Sequence, residues 1–519
     1  MSKGGPALIE VAPLWSLIEA RAEATPDALF AIDEQEQRLT FAEYRDAALR
    51  CAAGLAGMGL GEGSAVSWSL PTWLESMVLV GALARIGAVQ NPILPIYRER
   101  EFGFITRQSQ AQLLIVPGTF RGFDYAAMAR SIAAEQSGLD VLVVDRALPE
   151  GDPATLAPWR EPGDDPVRWL FYTSGTTSDP KGARHTDGTL TAFSLGLTKR
   201  VELAGDDRIA MVFPFTHIGG IGWLYCGLQA GAGHIVVEAF DPATTIPLLS
   251  KHGVTQATAG TAFHQAYLAA QRAQPDVKLF PNVRTFPGGG APKPPDLHHE
   301  IRRELGGSGI VSGYGMTECP TMAMNRAWDD DAKLAHTEGQ ASPDGVELRV
   351  VTLDHRVAKA GEEGEIRVKA PQQCKGYLDE ALNAAAFDGD GFFRTGDLGY
   401  LDEDGYVVIT GRLKDVIIRK GENISAKEIE DLLYAHPDVE DVAVIGLPDA
   451  KTGERACAVV VPKAGASPLS FEAMTAHLRD AKLMVQKIPE QLEIVTELPR
   501  NPTGKVVKHE LRKRYIDEG

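Results

Sequence analysis

Residues 172–182 read YTSGTTSDPKG. Hydroxyls at Thr173, Ser174, Thr176 and Thr177 can donate to phosphate oxygens. Gly175 and Gly182 let the backbone bend and turn N–H groups inward, and Lys181 adds a point charge. The chemistry suggested is anion binding; the plain alternative is a solvated Ser/Thr loop between strands. It is not the commonest phosphate loop. That loop needs a Ser or Thr after its lysine to hold magnesium, and here Gly182 follows Lys181.

Four other stretches isolate reactive side chains in turn-like settings. SGYGMTE (312–318) sets Tyr314 between Gly313 and Gly315, ahead of Thr317 and Glu318. RTGDLGY (394–400) places Asp397 in a tight turn. GRLKDVIIRKGENIS (411–425) packs charge around two glycines. NPTGKVVKHEL (501–511) isolates Lys505. Two decoys carry less. GLAGMGLGEG (54–63) follows a helix, whereas a dinucleotide site follows a strand, so it reads as a helix stop. His299-Glu300 lacks the second zinc-protease histidine, since position 303 is Arg, and reads as helix surface. No His or Cys cluster has structural-zinc spacing.

The elements that must position these residues follow from periodicity. Thr40 with Glu43, and Thr72 with Glu75, form capping boxes that predict two early helices. Short β-rich runs at 112–116, 140–145, 167–172, 208–213, 234–238 and 254–258 predict strands, and many are nearly all apolar, as expected for strands buried on both faces. Alternation of such strands with helices predicts an α/β fold of largely parallel sheets flanked by helices. Past about residue 340, GEIRVKAP and GYLDEDGYVVITGR read as antiparallel strands turning at Asp404-Gly405, a β-barrel-like subdomain. After Gly411 comes a compact α+β pattern. The expected domains are therefore a large N-terminal one, 1–411, and a small one, 412–519.

The 519 residues are 44% hydrophobic and 24% charged, with a net charge of −18. That acidity argues against nonspecific nucleic-acid binding. Five scattered Cys, no apolar leader and no uninterrupted apolar span predict a cytoplasmic protein without an integral membrane segment.

Taken in order, the five motifs resemble the adenylate-forming superfamily of acyl-CoA synthetases, adenylation domains and beetle luciferases. The resemblance covers essentially the whole chain; one departure is Ser178, where the family usually has a third glycine. It implies a small mobile C-terminal domain with its hinge at Lys414. It also implies site roles. The loop from Thr173 to Lys181 would hold the β- and γ-phosphates of ATP. Tyr314, flanked by Gly313 and Gly315, would stack on adenine, and Gly289, Gly290 and Ala291 would leave room for its edge. Thr317 would bond the α-phosphate, and Glu318 would hold Mg²⁺, a hard cation suited to carboxylate and phosphate oxygens. Asp397 would accept both ribose hydroxyls, assisted by Arg412. Lys505 would reach the α-phosphate and the substrate carboxylate. Gly421 would line the coenzyme A channel, with Arg419 and Lys420 near its phosphates. His217, Ile218, Gly219, Gly220, Trp223, Gly260 and Phe263 would form the acyl pocket, His217 near the carboxylate.

The implied reaction is ATP-dependent, AMP-forming ligation of a carboxylic acid to coenzyme A, with a homodimer allowed. No aspartate for an α-amine stands near FTHIGG, so the acid is expected to be apolar: medium-chain, alicyclic or a steroid side chain, nearest in look to the cyclohexanecarboxylate-CoA ligase branch. The alternatives are loading of a separate acyl carrier protein and a non-catalytic nucleotide-binding homologue. Retention of Glu318, Asp397, Arg412 and Lys505 weighs against the second.

Overall fold

The structure, a computed structural model, describes residues 8–173, 179–290, 293–419, 422–449, 452–500 and 505–517. Its central six-stranded sheet runs in the order Lys181–Thr186, Val167–Thr173, Val89–Pro92, Ala65–Trp68, Leu113–Val116, Asp140–Val143. All neighbours are parallel except the first pair, which is an antiparallel hairpin. Leu113–Val116 is buried along its whole length, as the apolar run requires. A second sheet, ordered Arg208–Met211, Gly233–Val236, Leu29–Ile32, Arg38–Thr40, is parallel except for its last pair. One core cluster joins the two sheets, through Trp68, Trp169 and Met211, to helices that contribute Leu17, Tyr44, Leu79 and Leu224.

The helix Phe41–Gly57 starts on the expected capping box: Thr40 accepts from the Glu43 N–H, and Glu43 returns the bond to the Thr40 N–H at 2.8 Å. The second expected box does not form. The helix Leu74–Arg85 is capped at Trp73 without a side-chain bond. The Thr72 hydroxyl instead donates to the Phe213 carbonyl and accepts from the Phe215 N–H, so a tertiary partner displaces the local cap. Residues 254–258 form no full strand either. Only Gln256 pairs, bridging Ile209 on one side and Thr285 on the other.

Two smaller sheets follow. One is ordered Phe286–Gly289, Ile310–Met316, Cys319–Met324, Gln340–Ala341. The other, Glu347–Val351, Gly364–Lys369, Phe393–Leu401, Val407–Arg412, is antiparallel throughout, and Gly405 makes its expected tight turn at φ +78°. Beyond Asp415 the chain folds onto a five-stranded sheet. Its long hairpin, Val439–Asp449 with Gly453–Pro462, alternates between two cores. Val442, Val444, Ala458 and Val460 face Leu433 and Leu478; Ala443, Ile445, Cys457 and Val459 face Leu511 and Tyr515. Period-two alternation thus explains why both strands have an unbroken apolar run, residues 442–447 and 456–460. Among the described residues, no helix is long and apolar enough to cross a membrane.

Candidate active site

The hydroxyl-rich loop closes the hairpin between Val167–Thr173 and Lys181–Thr186, and Thr173 and Lys181 stand opposite each other at its mouth. Ser174, Gly175, Thr176 and Thr177 lie outside the described residues, as do Ala291, Lys420 and Gly421. Lys181 Nζ sits 5.6 Å from the ring centre of Tyr377, a cation–π contact that holds the ammonium beside the loop.

The motif 312–318 runs from the strand Ile310–Met316 into the turn before Cys319–Met324, which places Thr317 and Glu318 at the end of a sheet. His185 fixes that turn: its Nε2 lies 2.8 Å from the Thr317 carbonyl and its Nδ1 3.0 Å from the Thr189 hydroxyl. Burial pushes this imidazole down to about 4, so it is neutral and donates to the carbonyl. Gly289 and Gly313 are partners in parallel strands, and a side chain at Gly289 would run into the Gly313 carbonyl. Gly290 faces open space at φ +77°. Of the two glycines, Gly290 fits the expected clearance for a base, while Gly289 serves strand packing.

Glu318 is 8% exposed. Its Oε1 accepts from the Tyr377 hydroxyl at 2.6 Å, and among the described residues no cation pairs with it. A buried carboxylate without a counter-ion is costly, so its donor chemistry fits a divalent cation bound together with phosphate. Asp397 is also buried. Its Oδ2 accepts from the Tyr314 hydroxyl at 2.9 Å, and its Oδ1 is ion-paired with Arg412 Nε. Asp397 and Arg412 face each other across Phe393–Leu401 and Val407–Arg412, so sheet register sets the pair.

Lys505 comes to the same place from the far end of the chain. The helix Lys508–Asp517 that follows it is seated by Leu511 and Tyr515 in the core, by Lys508 with Glu430 at 2.7 Å, and by Arg512 with Asp415 at 3.9 Å. Burial is the main force that lowers the Lys505 ammonium to about 8, and Arg412 and Lys414 add like charge. Asp397 and Asp415 pull the other way. Lys414 lies in the short turn Leu413–Asp415, is itself lowered by burial, and belongs to this charge group. Arg419 is engaged elsewhere, ion-paired with Glu490 and bonded to the Gln486 carbonyl at 3.2 Å.

His217 caps the helix Ile218–Ala230, its Nδ1 accepting from the Gly219 N–H at 3.1 Å. Burial lowers it to about 4, which leaves a neutral ring with its proton on Nε2. Ile218 and Trp223 are core residues, and Gly220 lets the helix pass close over Phe215. Gly260 caps the helix Thr261–Ala273. A cavity of about 510 Å³ lies next to this segment, walled by Phe213, Phe215, Thr216, Phe240 and Phe263. Phe263 is the one expected pocket residue on its wall; His217, Ile218, Gly219, Gly220, Trp223 and Gly260 do not line it. Buried Thr216, next to His217, has a hydroxyl without a hydrogen-bond partner among the described residues and also borders the cavity.

The described residues hold one His/Asp cluster of metal-ligand type, His298, His299 and Asp331. His298 Nδ1 accepts from the Ile310 N–H at 3.1 Å, so its Nε2 proton points at Asp331 at 3.0 Å, and Arg302 pairs with the same carboxylate. The cluster is a satisfied ion-pair network, in keeping with the helix-surface reading. Sequence reasoning passed over His185 and Tyr377. A histidine in a strand and a tyrosine after Gly376 carry no local signal; only their contacts mark them.

The AMP-binding enzyme family matches residues 18–378, and its C-terminal domain matches residues 428–505. The chain is 31% identical over 506 residues to a medium-chain fatty-acid–CoA ligase of Escherichia coli, covering 95% of this chain and 88% of that one. It is 32% identical to the salicyl-AMP ligase / salicyl-S-ArCP synthetase of Mycobacterium tuberculosis, at 95% and 89% coverage. The ATP-bound MatB of Rhodopseudomonas palustris superposes with a TM-score of 0.88 over 98% of this chain and 99% of that one, at 30% identity. The buried acid–arginine–lysine group and these matches over nearly the full chain agree: the protein belongs to the AMP-binding enzyme family, as an AMP-forming ligase of the acyl-CoA synthetase kind.

Proposed function

We propose that this enzyme activates an apolar carboxylic acid as its acyl adenylate and then passes the acyl group to the thiol of coenzyme A. What supports the first half is the meeting of Lys505 with Asp397 and Arg412. A carboxylate oxygen of the acid attacks the α-phosphorus of ATP, the bond to the bridging oxygen breaks, and pyrophosphate leaves. Two anions must approach, and the Lys505 ammonium offsets that repulsion as charge develops. Asp397 receives the ribose hydroxyls while Tyr314 and Arg412 hold it still. Lys181 and the hydroxyls from Thr173 to Thr177 bind the departing pyrophosphate. A Mg²⁺ held at Glu318 would neutralise phosphate charge. In the second half the thiol attacks the acyl carbonyl and AMP leaves. Neutral His217 suits hydrogen bonding to the carboxylate end of the acid; at about 4, it is a poor proton carrier at neutral pH.

The five phenylalanines of the 510 Å³ cavity, Phe120 with the four named above, favour an apolar acid of the medium-chain or alicyclic class. The large and small domains would meet at the hinge near Lys414, and the coenzyme A channel would lie along Gly421, Arg419 and Lys420. One observation favours a second reading, loading of a carrier protein: the similarity to a salicyl-S-ArCP synthetase. The deciding experiment is pyrophosphate release over a panel of aliphatic, alicyclic, aromatic and steroid acids, with product analysis with coenzyme A or a carrier protein. Acid-dependent pyrophosphate release with thioester made on coenzyme A is expected. Adenylate that discharges only onto a carrier protein would sink the coenzyme A assignment.

A further inference from the structure

Residues 374–378 run between the two halves of the phosphate site. Cys374 N–H donates to the Glu318 carbonyl at 2.8 Å, Lys375 N–H to the Arg184 carbonyl at 2.7 Å and Leu378 N–H to the Gly182 carbonyl at 2.8 Å. Tyr377 pairs with Ala183 across this seam. Its own N–H is taken by Asn383 Oδ1 at 2.9 Å. The segment is thus stitched on one side to the strand that begins with Lys181, and on the other to the turn that carries Glu318.

From that fixed position the Tyr377 side chain, 4% exposed, touches both groups. Its hydroxyl donates to Glu318 Oε1 at 2.6 Å, and its ring lies 5.6 Å from Lys181 Nζ. Among the described residues Oε2 has no hydrogen-bond donor and is left for another partner. A donor on one oxygen restricts rotation of the carboxylate and presents the other in one direction. Such outer contacts orient a metal ligand, and removing them commonly weakens metal binding by about 10- to 100-fold.

We propose that Tyr377 is a positioning residue: its hydroxyl aims the Glu318 carboxylate at the nucleotide-bound cation, and its ring seats Lys181 at the pyrophosphate side. This rests on the roles given to Glu318 and Lys181 above. Tyr377→Phe removes the hydroxyl and keeps the ring, so packing is preserved; thermal melting checks this. Tyr377→Leu removes both. The probe is Mn²⁺ with ATP, free Mn²⁺ being read by electron paramagnetic resonance. Tyr377→Phe should weaken Mn²⁺ binding about tenfold and raise the Mg²⁺ needed for half-maximal pyrophosphate exchange by the same factor. Thioester formation from supplied acyl adenylate should be unchanged. Tyr377→Leu should add a rise in the pyrophosphate KM that Tyr377→Phe lacks. Tyr377→His, which keeps an N–H donor, should recover part of the metal affinity. Wild-type Mn²⁺ affinity and Mg²⁺ requirement in Tyr377→Phe would overturn the proposal. So would a further tenfold loss when Tyr377→Phe is added to Glu318→Gln, because the tyrosine would then act elsewhere. Wild-type Mn²⁺ affinity in Glu318→Gln alone is a different failure, that of the Glu318 assignment itself.

Discussion

Asp397 has two carboxylate oxygens, and both already have donors, the Tyr314 hydroxyl and Arg412. Ribose hydroxyls would use the remaining lone pairs, and Tyr314 would act twice, by its ring and by its hydroxyl. Tyr314→Phe keeps the stacking surface and removes one bond to a charged group, worth about 1.5–3 kcal/mol. The KM for ATP should rise about tenfold or more with kcat little changed; an unchanged KM would separate the hydroxyl from nucleotide binding. Lys505 gives a pH prediction. Only its protonated form would stabilise the proposed attack, and its value of about 8 in the free enzyme puts that form below this pH. kcat/KM for ATP in the exchange assay should therefore fall as pH rises through about 8, and that limb should vanish in Lys505→Ala. The same variant should lose about 10²–10³-fold in adenylate formation. The types and spacing of Tyr314, Asp397, Arg412 and Lys505 were legible in the sequence. The Tyr314–Asp397 bond was not, because it joins positions 83 residues apart.

At the scale of elements, local signals succeeded where the partner was also local. The Thr40 box formed because its bonds lie within one turn; Thr40→Ala should cost about 1 kcal/mol, seen as a lower thermal midpoint with unchanged kinetics. Thr72 carried the same signal and failed, because the loop at 213–215 competes for its hydroxyl. Gly289 shows the reverse. Its motif suggested a ligand need, yet the nearer constraint is the Gly313 carbonyl on the paired strand. Gly289→Ala should lose stability, by about 1–3 kcal/mol as for overpacked sites, and weaken ATP binding only through that shift. A variant as stable as the parent but poor in ATP binding would return Gly289 to the nucleotide.

At the scale of the molecule, the group of Asp397, Arg412 and Lys505 is complete only when the chain's last helix is docked. Lys505 is carried by Leu511, Tyr515, Lys508 and Arg512 to residues about a hundred positions earlier in sequence. The two half-reactions should therefore be separable. Lys505→Ala should spare thioester formation from supplied acyl adenylate. Gly421→Leu should do the opposite, blocking the proposed coenzyme A channel while sparing pyrophosphate exchange. Equal damage to both halves by either variant would contradict a site rebuilt between steps.

By itself the sequence determined the α/β class, the family and the chemical type of each motif residue, since these depend on periodicity and on short runs in register. Tertiary structure decided the rest. It chose which hydroxyl caps and which one bridges, buried Lys505 beside Arg412 and Lys414 and so lowered its pKa against the opposing pull of Asp397 and Asp415, and placed Tyr377 between Lys181 and Glu318. Those outcomes are set by burial and by contacts between distant segments, and neither is encoded in the spacing of residues along the chain.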